Sequence, residues 1–220
     1  MYRLAPNLIQ QMLGEPESGM GYQVVRVELR DDSTEFGVVY NAQLLLFADE
    51  STDILTKVPY DRLIERAKES VGEIRALKVI SRLFSDSFVR EAGLSESGSE
   101  GPAVAAPTTR TEADEVFKRF SAYANDNRLT ADFRWLPGTY ATTEADAIRV
   151  RSGREAVSRY ALPNPAPASN VFTGKPWRDT DIQRGTVMPA FSQPGGGAEV
   201  IFPAGTQPRT VSGPARIPDA

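Results

Sequence analysis

Residues 185–203, which read GTVMPAFSQPGGGAEVIFP, combine three consecutive glycines with a single carboxylate inside an apolar run. Glycine loses more conformational entropy on ordering than other residues, so a folded domain keeps such a run where the backbone needs positive φ or a close approach. The apolar residues on either side predict strands. We therefore expect residues 192–198 to form a loop that presents backbone N–H groups, with Glu199 at one edge of a sheet. The alternative is a flexible hairpin loop without a function, because glycine-rich loops are common.

The chain contains no histidine and no cysteine, and this excludes several classes of site. Disulfides, thiolate metal sites, cysteine nucleophiles, Ser-His-Asp catalysis and histidine-ligated zinc all need a residue type that is missing. The acidic residues have no metal-ligand spacing, and the glycines do not follow the G-x-G-x-x-G spacing of a dinucleotide-binding fold. We therefore expect no metal, and any chemistry must use carboxylates, arginine, lysine, tyrosine, hydroxyls or amides.

Charge divides unevenly along the 220 residues, whose net charge is −4. Residues 114–220 hold 13 Lys and Arg against 11 Asp and Glu, whereas residues 1–113 hold 12 against 18. This small positive excess is too weak to predict nucleic-acid binding, which needs a clearly basic face. It suits one small anion such as a pyrophosphate.

No apolar run reaches the roughly 18 residues that a membrane-spanning helix needs. No apolar segment follows Met1 as it would in a signal peptide. We therefore expect no membrane span, and a location in the cytoplasm or outside the cell after export by a route without a signal peptide.

The spacing of apolar residues predicts an α+β fold built from two small modules. Residues 1–92 are predicted to form the first module: a short helix capped by Asn7, a β-meander over residues 23–47, and a long helix that begins at Pro59 and extends beyond Leu83. The long helix is expected to cover the meander, because a meander of this size is not stable alone. Residues 93–111 are rich in serine, glutamate, proline and alanine, and are predicted to be a disordered linker.

Residues 112–220 are predicted to form a second, mostly-β α+β module with a proline-rich C-terminal tail. Its expected elements are an amphipathic helix over 112–125, a strand, turn and strand over 133–143, a short helix over 152–160 and a strand from Asn170. Few residues after Pro203 are expected to enter a core.

Two ordered blocks of the second module resemble the tuberculosis necrotizing toxin family of bacterial NAD glycohydrolase toxin domains. The blocks are RYALP at residues 159–163 and GTVMPAFSQPGGG at residues 185–197. The similarity is close over residues 159–203 and extends over 133–203, but it does not cover the first 112 residues. The chain departs from the family at Ser192, where a glycine is usual, and at Glu199, where the family has a functionally important glutamine. It also lacks the histidine that the family's active site uses.

The resemblance implies that the second module acts on NAD. Cleavage of the nicotinamide–ribose bond passes through an oxocarbenium-like transition state, which a carboxylate beside the ribose can stabilise. Nicotinamide leaves as a neutral molecule, so the reaction needs no strong acid. Glu199 is therefore the central catalytic candidate, and a glutamate suits ADP-ribose transfer as well as hydrolysis. The alternative for Glu199 is a solvent-facing side chain on an edge strand.

The remaining candidates follow from the chemistry of the dinucleotide. Arginine matches a pyrophosphate in shape and charge. A tyrosine ring can stack on nicotinamide, and the hydroxyls of tyrosine and threonine can form hydrogen bonds with it. The further catalytic candidates are Arg159 and Tyr140, and the binding candidates are Gln193, Gly195, Gly196, Gly197, Arg134, Thr142 and Arg154. Each arginine has the alternative of an ordinary surface residue, and Tyr140 that of a core aromatic.

Two hypotheses for function follow. In the first, the second module cleaves NAD or transfers its ADP-ribose to a target, and residues 1–92 meet a delivery or immunity protein. In the second, the fold is kept without activity, and the chain is a binding or structural module of a phage-like or secretion assembly. The missing histidine favours the second hypothesis.

Overall fold

The short apolar runs of the first 47 residues form strands of a six-stranded sheet. The computed structural model describes residues 1–47, 60–79, 103, 106–163 and 166–220. The first sheet and its helices comprise β1 (Tyr2–Arg3), α1 (Pro6–Gly14), β2 (Tyr22–Leu29), β3 (Thr34–Tyr40), β4 (Leu44–Phe47), α2 (Tyr60–Arg66), β5 (Lys68–Glu69) and β6 (Ile74–Val79). Their order in the sheet is β5-β1-β4-β3-β2-β6. Helix α1 buries Leu8 and Met12 against Val25 and Val27 of β2, which builds the core of this module.

A second, seven-stranded sheet lies in the C-terminal half. Its elements are β7 (Thr109–Arg110), β8 (Phe117–Ser121), β9 (Thr139–Thr143), α3 (Glu144–Ala147), α4 (Gly153–Arg159), β10 (Asn170–Gly174), β11 (Asp181–Thr186), β12 (Ala198–Phe202) and β13 (Val211–Arg216). The strand order is β13-β10-β8-β9-β12-β11-β7. Two apolar cores cover its two faces, one around Tyr140, Tyr160 and Ile201 and the other around Trp135 and Phe202. The predicted α+β class is confirmed.

The long helix predicted from Pro59 is wrong within the described residues. Helix α2 ends at Arg66, and residues 74–79 are strand β6, which pairs with β2. Gly72 has φ +88°, outside the helical region, and breaks the pattern at a turn. Ile74 and Leu77 are both buried and lie three residues apart in the sequence, so their spacing matched that of the apolar face of a helix. The part of the predicted helix beyond residue 79 lies outside the described residues.

The helix predicted over residues 112–125 is also wrong. Residues 117–121 form β8, which pairs with β9 on one side and β10 on the other. Both Phe117 and Phe120 are buried, although they point to opposite faces, because each face of this central strand is covered by a core. A strand that is buried on both faces loses the alternation by which strands are recognised.

Three further expectations are corrected at the borders of the second module. Thr109 and Arg110, within the predicted disordered linker, form β7 and pair with β11. Most of residues 93–105 lie outside the described residues. The proline-rich tail contributes β13, which pairs with β10 and buries Val211. Of the strand, turn and strand predicted over 133–143, only residues 139–143 are a strand.

A buried ion network joins the two sheets. Arg119 of β8 pairs with Asp126 and with Glu17, which follows α1, through N–O distances of 2.8 Å. Arg128 donates to the backbone carbonyls of Leu13 and Glu15 at the end of α1, at 3.3 and 3.1 Å. These arginines therefore bond to groups of the other sheet's module. The first 22 residues and the second sheet thus share buried charges as well as apolar contacts.

Candidate functional site

Glu199 lies in the interior of the second sheet, and the expectation of a sheet edge is wrong. Its strand β12 is flanked by β9 and β11, and Glu199 pairs with Gly185. Since successive side chains of a strand alternate between faces, Glu199 shares the face of Ile201, which belongs to the core around Tyr140. The residue is 3% exposed. The solvent-facing alternative for Glu199 is therefore wrong as well.

Ala103 covers the Glu199 carboxylate. The backbone N–H of Ala103 donates to Oε2 of Glu199 at 3.0 Å, and Ala103 is fully buried in the same core. Nearby, Gln183 of β11 donates to the carbonyl of Ala106 at 2.9 Å. A substrate that reaches the Glu199 carboxylate from the side of Ala103 must break the hydrogen bond between them.

The glycine run packs against the end of helix α4. Gly195 donates to the carbonyl of Ser158, and Gly197 to that of Arg159, each at 3.1 Å, while Gly196 donates to Val187 at 2.8 Å. The last carbonyls of a helix have no partner inside it, so the first two bonds cap α4. The N–H groups predicted to be presented to a ligand are bonded within the chain. Binding of a ligand by these groups would require the bonds to break.

Glycine is required at two of these positions for different reasons. Gly195 has φ +65°, and a Cβ there would lie 2.6 Å from the carbonyl oxygen of Val187. A Cβ at Gly197 would lie 2.7 Å from the ring of Tyr160. The run therefore permits the close approach of the loop to α4 that the sequence predicted in general terms.

A second carboxylate, Asp146 of α3, organises the end of the sheet next to Glu199. Its Oδ2 accepts from Nε of Arg159 at 2.9 Å and from the hydroxyl of Tyr160 at 3.1 Å, and its Oδ1 accepts from Nη2 of Arg159. The hydroxyl of Thr142 lies 3.5 Å from Oδ2. The register between β9 and β12, continued by one residue, places Thr142 opposite Glu199. Arg159 and Thr142 therefore meet at Asp146, and Glu199 lies on the strand next to Thr142.

The protonation states of this group are fixed by burial and pairing. Burial by itself would raise the pKa of Asp146, but the hydrogen bonds and charge of Arg159 outweigh it, and the pKa is lowered. The pKa of Arg159 is raised, chiefly by the same hydrogen bonds. Burial raises the pKa of Tyr160. At neutral pH the group is a carboxylate, a guanidinium and a neutral phenol.

A cavity of about 380 Å³ lies beside the same face of the sheet. This volume is in the range of small-molecule sites, which is roughly 300–1,000 Å³. The described residues that line it come from both modules: Gly14, Glu15, Pro16, Glu17, Val79, Pro137, Gly138, Tyr140, Gln183, Ile201 and Pro203. Glu199 is not among them, but Ile201 lies two residues away on the same face of β12.

The other predicted binding residues lie apart from this group. Arg134 is exposed in the loop before β9 and pairs with Asp132 at 3.3 Å. Arg154 is exposed in the first turn of α4, whereas Arg159 is at its last residue. Gln193 lies in a tight turn, where its backbone exchanges hydrogen bonds with Ala190.

Sequence reasoning missed Asp146 and Tyr160. The pattern Thr143-x-x-Asp146 carried one signal, because a threonine followed three residues later by an acid marks a helix start. The hydroxyl of Thr143 does accept from the backbone N–H of Asp146, at 3.2 Å. Nothing in the sequence indicated the contact of Asp146 with Arg159, which is 13 residues away.

Comparisons with family models, curated proteins and solved structures found no match. Within the described ranges, no group of three or more acidic residues is arranged to hold a metal ion. No helix in that part of the chain is long and apolar enough to cross a membrane.

Proposed function

We propose that the second module acts on NAD, cleaving the nicotinamide–ribose bond or transferring the ADP-ribose to a target. In this reaction the C1′–N bond breaks and its electron pair goes to the nicotinamide nitrogen, which leaves neutral. The oxocarbenium that forms is captured by water, which releases a proton, or by a nucleophile of a target molecule. Glu199 supplies the negative charge that stabilises the oxocarbenium.

The observation that carries the proposal is the grouping of predicted residues on one face of the sheet. Tyr140 and Thr142 lie on β9, and Glu199 lies on the adjacent strand β12, whose Ile201 pairs with Tyr140. Arg159 joins this group through Asp146, which also contacts Thr142. Tyr140 also lines the cavity of about 380 Å³, and in this proposal the cavity holds part of the substrate.

A second candidate function is a module that binds a partner or a nucleotide without turnover. The contact of Ala103 with the Glu199 carboxylate favours it, because Glu199 is almost completely buried. A carboxylate bonded in this way is satisfied as a structural group. In either case, residues 1–92 are proposed to meet a delivery or immunity protein, and the chain is proposed to work in the cytoplasm or after export.

Incubation of the full chain with NAD and measurement of free nicotinamide tests the proposal. Glu199→Gln keeps the shape of the side chain and an oxygen for the Ala103 N–H, so the variant should fold. Loss of the charge should lower the rate of release on the order of a hundredfold. Arg178→Gln changes an arginine that is 74% exposed and belongs to no candidate set, so this control should keep the wild-type rate.

Two results decide between the candidates. NAD binding by calorimetry, without nicotinamide release or ADP-ribosylation of lysate proteins, would support the binding module. Nicotinamide release at the wild-type rate by the variant Glu199→Ala would refute the catalytic role of Glu199.

A further inference from the structure

One carboxylate connects three separate segments of the candidate site. Asp146 accepts hydrogen bonds from Thr142 on β9 and from Arg159 and Tyr160 at the end of α4. The backbone N–H of Ala198 on β12 also contributes to lowering the pKa of Asp146. Ala198 directly precedes Glu199. The side chain of Asp146 is 10% exposed, so these bonds form largely away from water.

The pairing fixes one edge of the Arg159 guanidinium. Nε and Nη2 both donate to Asp146, in the two-point geometry that arginine and a carboxylate favour. Nη1 lies outside this pair, on a side chain that is 26% exposed. A guanidinium that is held in two-point geometry on a partly exposed side chain is oriented before a ligand arrives.

We propose that Asp146 is a positioning residue for the site, which holds Arg159 ready for a phosphate of the dinucleotide. This inference rests on the proposed function. Asp146 itself touches no substrate. It reduces the ordering that binding would otherwise require of Arg159.

The competing account is that Asp146 only stabilises the fold, and the chain offers a matched control for it. Glu155 occupies the same third position after a helix cap, where its N–H donates to Ser152 just as that of Asp146 donates to Thr143. Glu155 also pairs with an arginine, Arg151, but that arginine is 85% exposed. The variant Glu155→Gln therefore removes a similar carboxylate outside the site.

The first test compares Asp146→Asn with Glu155→Gln in nicotinamide release by the full chain. Asparagine cannot accept both bonds from Arg159 without placing its NH₂ group against the guanidinium. Asp146→Asn should raise KM for NAD roughly tenfold or more, with a smaller change in kcat, because the lost interaction is with a charged group. Glu155→Gln should leave both constants unchanged, and Asp146→Glu should recover part of the loss. An unchanged KM in Asp146→Asn overturns the proposal.

A second measurement needs no turnover. The Arg159 Nε–Hε signal in a ¹⁵N-correlated NMR spectrum, assigned by its loss in Arg159→Lys, reports on the pairing directly. Added inorganic pyrophosphate should shift this signal in the wild type but not in Asp146→Asn. If pyrophosphate shifts the signal in the wild type but not in Asp146→Asn, and no nicotinamide is released, the proposed function is refuted and the positioning role is kept. If pyrophosphate does not shift the Arg159 signal of the wild type, the positioning role is overturned, whether or not nicotinamide is released.

Discussion

Replacing Arg119 with methionine removes the charge on which two buried carboxylates depend. Glu17 and Asp126 have side chains that are 3% and 2% exposed, and both pair with Arg119, which is 1% exposed. Burial would raise the pKa of Asp126, but the charge of Arg119 outweighs it and lowers the pKa. Methionine has an unbranched apolar side chain that can occupy the space of the aliphatic part of arginine. The change therefore removes mainly the charge and its hydrogen bonds.

The expected loss is large because the carboxylates stay behind. Removing one partner of a buried ion pair costs about 3–5 kcal/mol, since an uncompensated charge remains in the interior. The free energy of unfolding of a typical domain is about 5–15 kcal/mol, so Arg119→Met should remove a large part of it. Glu17→Gln removes one negative charge and keeps the shape, and should lose about 1–3 kcal/mol.

Urea unfolding at pH 7, monitored by circular dichroism, measures these losses. A lower midpoint with the same dependence of the unfolding free energy on urea concentration reports a loss of stability. Arg62→Met is the control, because Arg62 and Glu65 form a pair at 2.8 Å with side chains that are 68% and 60% exposed. Exposed pairs contribute little, so this variant should stay within about 0.5 kcal/mol of the wild type.

A loss of less than about 1 kcal/mol for Arg119→Met would refute the reasoning, since a buried charge cannot be left unpaired so cheaply. If Arg119→Met yields no folded protein, Glu17→Gln carries the test. A midpoint for Glu17→Gln equal to that of the wild type then contradicts the assigned role of the network.

Two further predictions concern the second module. Gly195→Ala should lower the free energy of unfolding by about 2 kcal/mol or more, because it adds a Cβ at positive φ and within 2.6 Å of the Val187 carbonyl oxygen. Gly14→Ala, where a Cβ meets no atom within 4 Å, should change it little, and equal urea midpoints for the two variants would contradict this account. Folding lowers the pKa of Asp126 and of Asp146, so the stability they contribute is complete above about pH 4 and disappears as the pH falls through the lowered values. Urea midpoints at pH 7, 5, 4 and 3 should therefore drop below pH 4, and a midpoint that rises on acidification would exclude this linkage.

Local signals in the sequence were sufficient for part of the fold. The meander strands and the short helix near residue 153 were predicted close to their observed bounds. Their cues, such as the Ser152 cap and the strand alternation of residues 23–29, act within a few residues. The two wrong helices failed because strand partners far along the chain decided their conformation. β6 pairs with β2, and β8 lies between β9 and β10.

The candidate site was predictable in its residue types more than in its contacts. Tyr140, Thr142, Arg159 and Glu199 were named from their chemistry or from resemblance. In the structure Tyr140 and Thr142 lie on the strand next to that of Glu199, and Thr142 and Arg159 both contact Asp146. The role of Asp146 depends on hydrogen bonds from Thr142, Arg159 and Tyr160, which no spacing rule connects. The Glu17–Arg119 pair spans 102 residues, so no local pattern could indicate it.

The cap that the glycine run forms on helix α4 has a consequence for how such a motif persists over evolutionary time. Its N–H groups hold the end of the helix, and two of its positions have no room for a side chain. A chain with this architecture faces selection against a Cβ at Gly195 whether or not it is active. The glycines alone therefore do not distinguish an active relative from an inactive one.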